Sequence, residues 1–401
     1  MNICSFCNHS EKEVKNLVAA SDNKTFICDK CAGFAFELMK EEKKEVVDAN
    51  TEVPVVEENK LPTPKEMFEH LNRFVVGQED AKKTICTAVY NHYKRIYQEK
   101  EVMFTKSNIV VVGPTGSGKT YIAQMIASYL NVPFVIVDAT SLTQAGYVGD
   151  DVETILQRLI NAADGDVEKA QKGIIFIDEI DKIAKRDAGA SITRDVSGEG
   201  VQQSLLKILE GTLSRVQSDG NRKHPNSKVE YIDTKNILFI CGGAFVGLDK
   251  MKDKKDTKKQ IGFEKEEVTQ IQSFLKKFNN SITPQHLIEF GFIPEFVGRL
   301  PVITELKELS KDDLMNIIKG PENSLIKQYT QLLSLDNISL QVQDNALSEM
   351  ADVVLEMKTG ARGLKSIFEK VLADVMFNAP NYSKGTVVTI KSIYEDVEVT
   401  N

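Results

Sequence analysis

One eight-residue segment, Gly113-Pro114-Thr115-Gly116-Ser117-Gly118-Lys119-Thr120, constrains this chain more than any other. It matches the nucleoside-triphosphate loop pattern at every required position. Its glycines let the backbone turn tightly and aim N–H groups at phosphate oxygens. Lys119 is placed to reach the β and γ phosphates, and the Thr120 hydroxyl to ligate Mg²⁺. The flanks agree with this reading. Asn108 to Val112 reads as a buried strand and Tyr121 to Leu130 as a helix. Strand, glycine loop and helix in that order set a phosphate at a helix N-terminus.

A second segment completes the pattern of an ATPase. Gly173-Ile174-Ile175-Phe176-Ile177-Asp178-Glu179 is an apolar run ending in two carboxylates. A strand buried on both faces of a parallel sheet reads this way. At its end Asp178 is placed to hold Mg²⁺ through water, and Glu179 to orient and deprotonate an attacking water. Adjacent carboxylates in these roles favour hydrolysis of ATP over binding alone.

The rest of the chain extends the pattern. Further apolar strand candidates lie at 134–138, 237–241 and 302–305, with helical period between them, as at Ser204 to Leu209. The alternation predicts an α/β class with a parallel sheet covered on both faces. From Lys307 to Tyr382 the period is helical, and Val387 to Ile390 reads as a short strand. The expected domains are therefore a large one at 61–306 and a small, mainly helical one at 307–401.

The N-terminus follows a different rule. Cys4-x2-Cys7 and Cys28-x2-Cys31 are two knuckles separated by twenty residues. That spacing reads as a four-thiolate Zn²⁺ site. Residues 1–40 are too few for a stable core, so zinc would supply the folding energy. His9 lies nearby but is not needed as a ligand, and Cys86 and Cys241 read as small buried apolar residues. Glu41 to Lys60, rich in Glu and Lys, reads as a flexible, mostly acidic linker.

Charge and hydropathy exclude other classes. A net charge of -8 over 401 residues argues against a general nucleic-acid binder. No apolar run approaches the roughly 20 residues needed to cross a membrane. With the cysteine cluster at residues 4–31, the sequence reading expects no secretory signal. A reducing, cytoplasmic setting follows from this reading. No HExxH or GxSxG pattern appears, so any peptide cleavage must come from a partner.

Zinc module, acidic linker and ATPase core together resemble the ClpX family of AAA+ unfoldases, which feed the ClpP peptidase. The resemblance runs over nearly the whole chain and implies further roles. Ala145-Gly146-Tyr147-Val148-Gly149 matches the family's axial pore loop. There Tyr147 and Val148 would grip any polypeptide between flexible glycines. Ser191 to Gly200 resembles the second pore loop, and Arg222-Lys223-His224 the basic loop at the pore mouth, suited to a substrate carboxylate. Ile261-Gly262-Phe263 matches the tripeptide that docks on ClpP, although Glu264 stands where the family often has a small residue. Arg299 matches the finger that contacts ATP in a neighbouring subunit, and Arg362 the sensor that contacts ATP from the small domain. Val75-Val76-Gly77-Gln78 matches the segment near adenine. The polar sensor that many AAA+ enzymes carry after the fourth core strand is left unassigned, because that strand ends Cys241-Gly242-Gly243.

The resemblance thus implies an ATP-driven unfoldase that works as a homo-hexamer. Its substrates would be proteins with unstructured tags, and the zinc module would dimerise and receive adaptors or substrates. It would act with ClpP or as a chaperone alone, without membrane or direct nucleic-acid contact. Three other readings are an AAA+ remodeller of nucleic-acid-bound complexes, a non-enzymatic zinc scaffold that senses ATP, and an HslU-type unfoldase. The acidic charge and aromatic pore loop oppose the first. The intact carboxylate pair and both arginines oppose the second. The zinc module and Ile-Gly-Phe segment oppose the third.

Overall fold

The computed structural model describes residues 3–7, 9–10, 14–19, 25–32, 61–97, 106–143, 152–185, 198–217, 229–248 and 281–400. The chain divides into two compact units, residues 1–60 and 61–401. In the first, β1 (Leu17–Ala19) and β2 (Phe26–Cys28) pair antiparallel. The Ser5 N–H donates to Phe26 O at 2.8 Å, which lays the first cysteine knuckle beside the hairpin. The hairpin ends on Cys28, so backbone pairing itself delivers the second knuckle.

The second unit is built on a five-stranded sheet of order β4-β5-β8-β3-β9. Its strands are β3 (Ile109–Val112), β4 (Phe134–Asp138), β5 (Ile174–Asp178), β8 (Leu238–Gly243) and β9 (Val302–Glu305). Every neighbouring pair is parallel. All five match the strands expected from the sequence. After β3 the chain crosses to the far edge for β4, and β5 and β8 later fill the gap. A crevice therefore opens at the carboxyl ends of the central strands, where open α/β sheets bind ligands.

Period-2 alternation explains why both faces are covered. In β5, Ile174 and Phe176 face one core while Ile175 and Ile177 face the other. The Phe176 core is closed by α1 (Pro64–Asn72), α2 (Glu79–Tyr97) and α3 (Lys119–Tyr129) through Met67, Ile85 and Ile122. The Ile175 core is closed by α4 (Val152–Ala162) and α6 (Glu199–Glu210), with the short α5 (Val167–Ala170) between them in sequence. Ile175 and Phe176 have no exposed surface. Each such side chain contributes roughly 1.5–3 kcal/mol of burial.

Local signals set the helix starts. Thr63 and Glu66 form a reciprocal capping box ahead of α1, with Pro64 at its first position. Ser310 and Asp313 do the same for α9 (Lys311–Lys319). Helices α7 (Pro284–Phe290) and α8 (Pro294–Gly298) each open on a proline and lead into β9.

A third core gathers α9, α10 (Leu325–Ser334), α11 (Asp344–Met357) and α12 (Ala361–Asn378) around Leu314, Met350 and Phe368. Three strands join it: β10 (Ser339–Val342), β11 (Val387–Ile390) and β12 (Glu398–Thr400), with β11 in the middle. From the sequence β11 is expected, whereas 339–342 reads as part of a helical stretch. Ser339-Leu340-Gln341-Val342 has only Leu340 buried, and it forms a strand because β11 pairs alongside it in parallel. The hairpin of β6 (Leu213–Gln217) and β7 (Val229–Asp233) was likewise not anticipated.

Candidate functional site

Strand β3 ends at Val112, and the loop that follows is shaped by contacts only glycine permits. Gly116 has φ +75°, and a Cβ there would stand 2.3 Å from Thr359 O. Gly360, with φ +61°, is its counterpart: a Cβ there would lie 2.7 Å from Thr115 O and 2.9 Å from Gly116 Cα. The Ala361 N–H donates to Gly116 O at 3.1 Å. The loop and the start of α12 thus touch backbone to backbone. Gly118 ends the loop in the left-handed region and caps α3 with no side-chain bond. The first N–H groups of α3 therefore remain available to an anion.

Lys119 is largely buried and folds back on its own loop. Its Nζ donates to Gly113 O at 2.7 Å and to Pro114 O at 2.9 Å. Burial lowers its pKa from the usual lysine value, opposed by Asp178 and Asp181 and assisted by Arg362. The next residue faces the end of β5: Thr120 Oγ1 donates to Asp178 Oδ2 at 3.1 Å. Asp178 Oδ1 in turn accepts the Glu179 N–H at 2.9 Å. Glu179 has φ +53°, a left-handed conformation that costs a non-glycine residue roughly 1–3 kcal/mol. That turn keeps both carboxylates at the mouth of the crevice, whereas simple strand alternation would send them to opposite faces.

A cavity of about 540 Å³ lies over these groups. Val76, Thr115 through Thr120, Asp178, Glu179 and Arg362 all line it. Gly113 and Pro114 lie beneath, as carbonyl partners of Lys119. Its apolar lining comes from Phe74, Val75, Val76, Ile317, Pro321 and Leu325. Its charged lining includes Lys119, Asp178, Glu179 and Arg362. Apolar side chains in one cavity with glycine-loop N–H groups, a lysine and a carboxylate pair have the chemistry to take a nucleotide base and phosphates with Mg²⁺. Its size is ordinary for a small-molecule site.

Several lining groups had no sequence signal that singled them out. Asp181 is nearly buried, and its Oδ1 accepts the Ala244 N–H at 3.2 Å. It sits close enough to Gly243 to leave no room there for a Cβ. Glycine and alanine backbone, with Asp181 behind, thus follow the fourth core strand, where many AAA+ enzymes carry a polar sensor. Spacing after Asp178-Glu179 was the only available hint of Asp181. Asn323, Gln328 and Lys365 also line the cavity. They come from the helical third core, where nothing marked them.

Long-range bonds set the width of the cavity. Gln78, itself left-handed, donates Nε2 to Lys307 O and accepts the Lys307 N–H on Oε1, both at 2.8 Å. Arg73 pairs with Glu322 through Nε at 2.6 Å and Nη2 at 2.9 Å. Asn323 Nδ2 donates to Tyr121 OH at 2.6 Å. These contacts hold the third core against the sheet-bearing part.

Arg299 is not among the groups that line the cavity. It follows α8, half exposed, and pairs with Glu210. The segment expected to line a pore, Gly146, Tyr147, Val148 and Gly149, the basic Arg222, Lys223 and His224, and the tripeptide Ile261, Gly262 and Phe263 lie outside the described residues. Residues 41–60 and 191–197 do as well. Among the described residues no helix is long and apolar enough to cross a membrane.

The separate cysteine site fits zinc. The Sγ atoms of Cys4, Cys7, Cys28 and Cys31 all lie within 4.8 Å of one another, with Cys7 and Cys28 at 3.6 Å. Four thiolates about 2.3 Å from one tetrahedral ion stand at similar mutual distances. No disulfide joins the cysteines. Burial opposes ionisation of Cys4, but backbone donors at Phe6, Cys7 and Cys28 outweigh it and bring this thiol down to about 6. Hydrogen bonds with Cys7 and Cys28 push Cys31 up to about 12. A cation in the cluster removes that mutual opposition. His9 turns its Nδ1 to Cys7 O at 3.1 Å, away from the ligand role. Cys86 and Cys241 are buried, and burial pushes both thiols up to about 12.

Comparison with known proteins agrees with the two sites. Residues 105–303 match the family model of the AAA domain (Cdc48 subfamily). Residues 2–41 match the ClpX C4-type zinc finger, and residues 309–393 the C-terminal D2-small domain of ClpB protein. The chain is 48% identical over 382 residues to the ATP-dependent Clp protease ATP-binding subunit ClpX of Treponema denticola, covering 94% of this chain and 90% of the relative. It is also 48% identical over 399 residues to the protein of the same name from Borrelia duttonii, covering 97% and 90%.

Proposed function

The chain belongs to the ClpX family of AAA+ ATPases, and from that premise we propose how its residues divide the work. It is an ATP-hydrolysing unfoldase that uses ATP, Mg²⁺ and Zn²⁺. One observation carries the assignment of roles: Lys119, Thr120, Asp178, Glu179 and Arg362 converge on a single cavity. The base lies against the apolar lining, by Val76. Lys119 exchanges its loop carbonyls for the β and γ phosphates, cradled by Gly113 through Gly118. Thr120 and Asp178, already hydrogen-bonded to each other, hold Mg²⁺. The ion neutralises phosphate charge when bound. Glu179 accepts the proton of the attacking water. Arg362 reaches the phosphates from the first turn of α12, so nucleotide state is felt by the small domain.

We take residues 61–306 as the large domain and 307–401 as the small one. Arg299, half exposed and outside its own chain's cavity, serves the ATP of a neighbouring subunit in a hexameric ring. Tyr147 and Val148, flanked by Gly146 and Gly149, grip the substrate in the axial pore. Arg222, Lys223 and His224 meet its carboxylates. Ile261, Gly262 and Phe263 dock on a ClpP peptidase, a partnership supported by the Clp protease name that the relatives carry. The zinc module receives adaptors. Reduced cysteines grouped for metal support a cytoplasmic setting.

The test is ATP turnover by Glu179→Gln. That variant retains ATP binding and loses turnover by about 100-fold or more. Normal turnover would refute the mechanism. Mixing the protein with ATP, Mg²⁺, ClpP and a tagged fluorescent protein checks the larger reading. Fluorescence falls with the intact chain and persists with Tyr147→Ala.

A further inference from the structure

Arg299 is held from two directions, and neither holder belongs to the nucleotide cavity. The backbone is fixed by Asn108, which directly precedes β3 and is almost completely buried. Asn108 Nδ2 donates to Arg299 O at 2.9 Å and to Leu209 O at 3.4 Å. Its Oδ1 accepts the Phe239 N–H at 3.4 Å. One amide thereby ties the Arg299 segment, the end of α6 and strand β8 to the foot of β3. The side chain is fixed by Glu210, the last residue of α6. Glu210 Oε1 accepts both Arg299 Nε at 3.0 Å and Arg299 Nη2 at 2.7 Å.

The helix end gives Glu210 little freedom. Gly211 follows with φ +101°, and a Cβ there would meet Lys235 Cγ at 2.8 Å. The chain therefore leaves α6 at one fixed angle, with Leu209 bonded to the same Asn108 that bonds Arg299. Both partners of the ion pair are referenced to one buried side chain. Arg299 and Glu210 are 52% and 42% exposed, so solvent screens their attraction and the pair adds little to stability. Its geometry is what remains to be explained. Arginine has a long, freely rotating stem, and a finger that must meet a phosphate loses rate if it points elsewhere. The carboxylate engages the Nε and Nη2 side of the guanidinium. Nη1 takes no part in the pair and has no acceptor of its own among the described residues.

We propose that Glu210 and Asn108 are positioning residues for Arg299. Asn108 sets where the finger leaves the fold, and Glu210 sets the angle at which its free edge is offered to a phosphate of the adjoining subunit. This inference rests on the reading of Arg299 as acting on a neighbour.

Glu210 is the residue to test, since its exposure lets it be replaced without opening the core. Steady-state ATP turnover of the full chain with Mg²⁺ is compared for Glu210→Ala, Glu210→Gln, Arg299→Ala and the Glu210→Ala/Arg299→Ala double variant. Glu210→Ala lowers kcat by about tenfold and moves KM by less than about twofold, as for a group misaligned only at the reacting phosphate. Glu210→Gln, which keeps an oxygen acceptor, recovers most of the loss. The double variant matches Arg299→Ala alone, because nothing is left to position. Thermal midpoints stay together across the set.

Wild-type or raised kcat in Glu210→Ala, while Arg299→Ala is inactive, would overturn this inference and leave the finger reading standing. A double variant clearly worse than Arg299→Ala would also overturn it. Full turnover in Arg299→Ala would remove the finger reading and this inference with it.

Discussion

In residues 1–60 the only buried apolar side chains among those described are Cys4 and Cys28, both placed as metal ligands. In residues 61–401 three apolar cores close before any ligand is considered. The N-terminal module is thus organised by its ligand, and the ATPase by its own packing. The difference teaches where each site gets its geometry. Hairpin pairing brings the two knuckles together, and a metal held by the four thiolates would supply the folding energy that so small a core lacks. The nucleotide groups meet because strand ends, a glycine loop and a helix start have nowhere else to go.

The sharpest way to break this contrast is to remove the organiser. Cys4→Ser with Cys28→Ser abolishes zinc binding and unfolds residues 1–40, read by metal content and amide NMR dispersion. The cooperative melt of residues 61–401 stays in place. A folded double variant would show that the module has a core of its own.

Next in size is Gly116→Ala, which attacks packing where the ATPase relies on it most. A methyl group cannot fit 2.3 Å from Thr359 O, and the φ of +75° is unfavourable for alanine. ATP affinity, followed by fluorescent nucleotide titration, falls by about tenfold or more as the loop and α12 are forced apart.

A smaller effect tests whether packing alone sets the pH response of the larger unit. Burial of His92, with Arg95 adding, lowers its pKa from 6.5 to about 3. Its Nε2 bonds Asn236 O at 3.0 Å, and Nδ1 has no partner among the described residues. Between these two values the unfolded chain binds the extra proton. The contribution of this group is therefore complete above the unfolded pKa and declines as pH falls below it, at about 1.4 kcal/mol per pH unit. Urea melts at a series of pH values show that slope, and His92→Gln flattens it. An unchanged slope would assign the acid sensitivity elsewhere.

The smallest effect belongs to Arg73 and Glu322. Their pair depresses the Glu322 pKa through the Arg73 hydrogen bonds, yet both side chains are about half exposed. Its stabilisation is present above the ordinary carboxylate pKa and is lost as pH falls through the depressed value. Glu322→Gln changes turnover by less than about twofold, and added salt erases the difference.

The parts of the molecule set by short-range pattern were legible in the sequence. The three central strands announced themselves as apolar runs because both faces of each are buried, while the edge strands β4 and β9 are partly exposed and still apolar enough to read. The glycine loop and the Asp178-Glu179 pair lie at strand ends, so locating the strands located them. What escaped depends on partners far along the chain. Gln78 and Lys307 are 229 positions apart, and neither looks unusual alone. Strand β10 exists because β11 lies beside it. Asn108 reads as the polar start of an apolar strand, and only the fold reveals that it gathers Leu209, Phe239 and Arg299.

The contact of Gly116 with Gly360 has a mechanical consequence. Machines that pass motion through meshed side chains have play, since rotamers can adjust before the backbone does. Here two bare main chains meet, and Ala361 is bonded directly to Gly116 O. No adjustable part lies between the loop that would embrace phosphate and the helix that carries Arg362. A displacement of one would be passed to the other by backbone atoms at this contact, which side-chain substitution elsewhere does not reach.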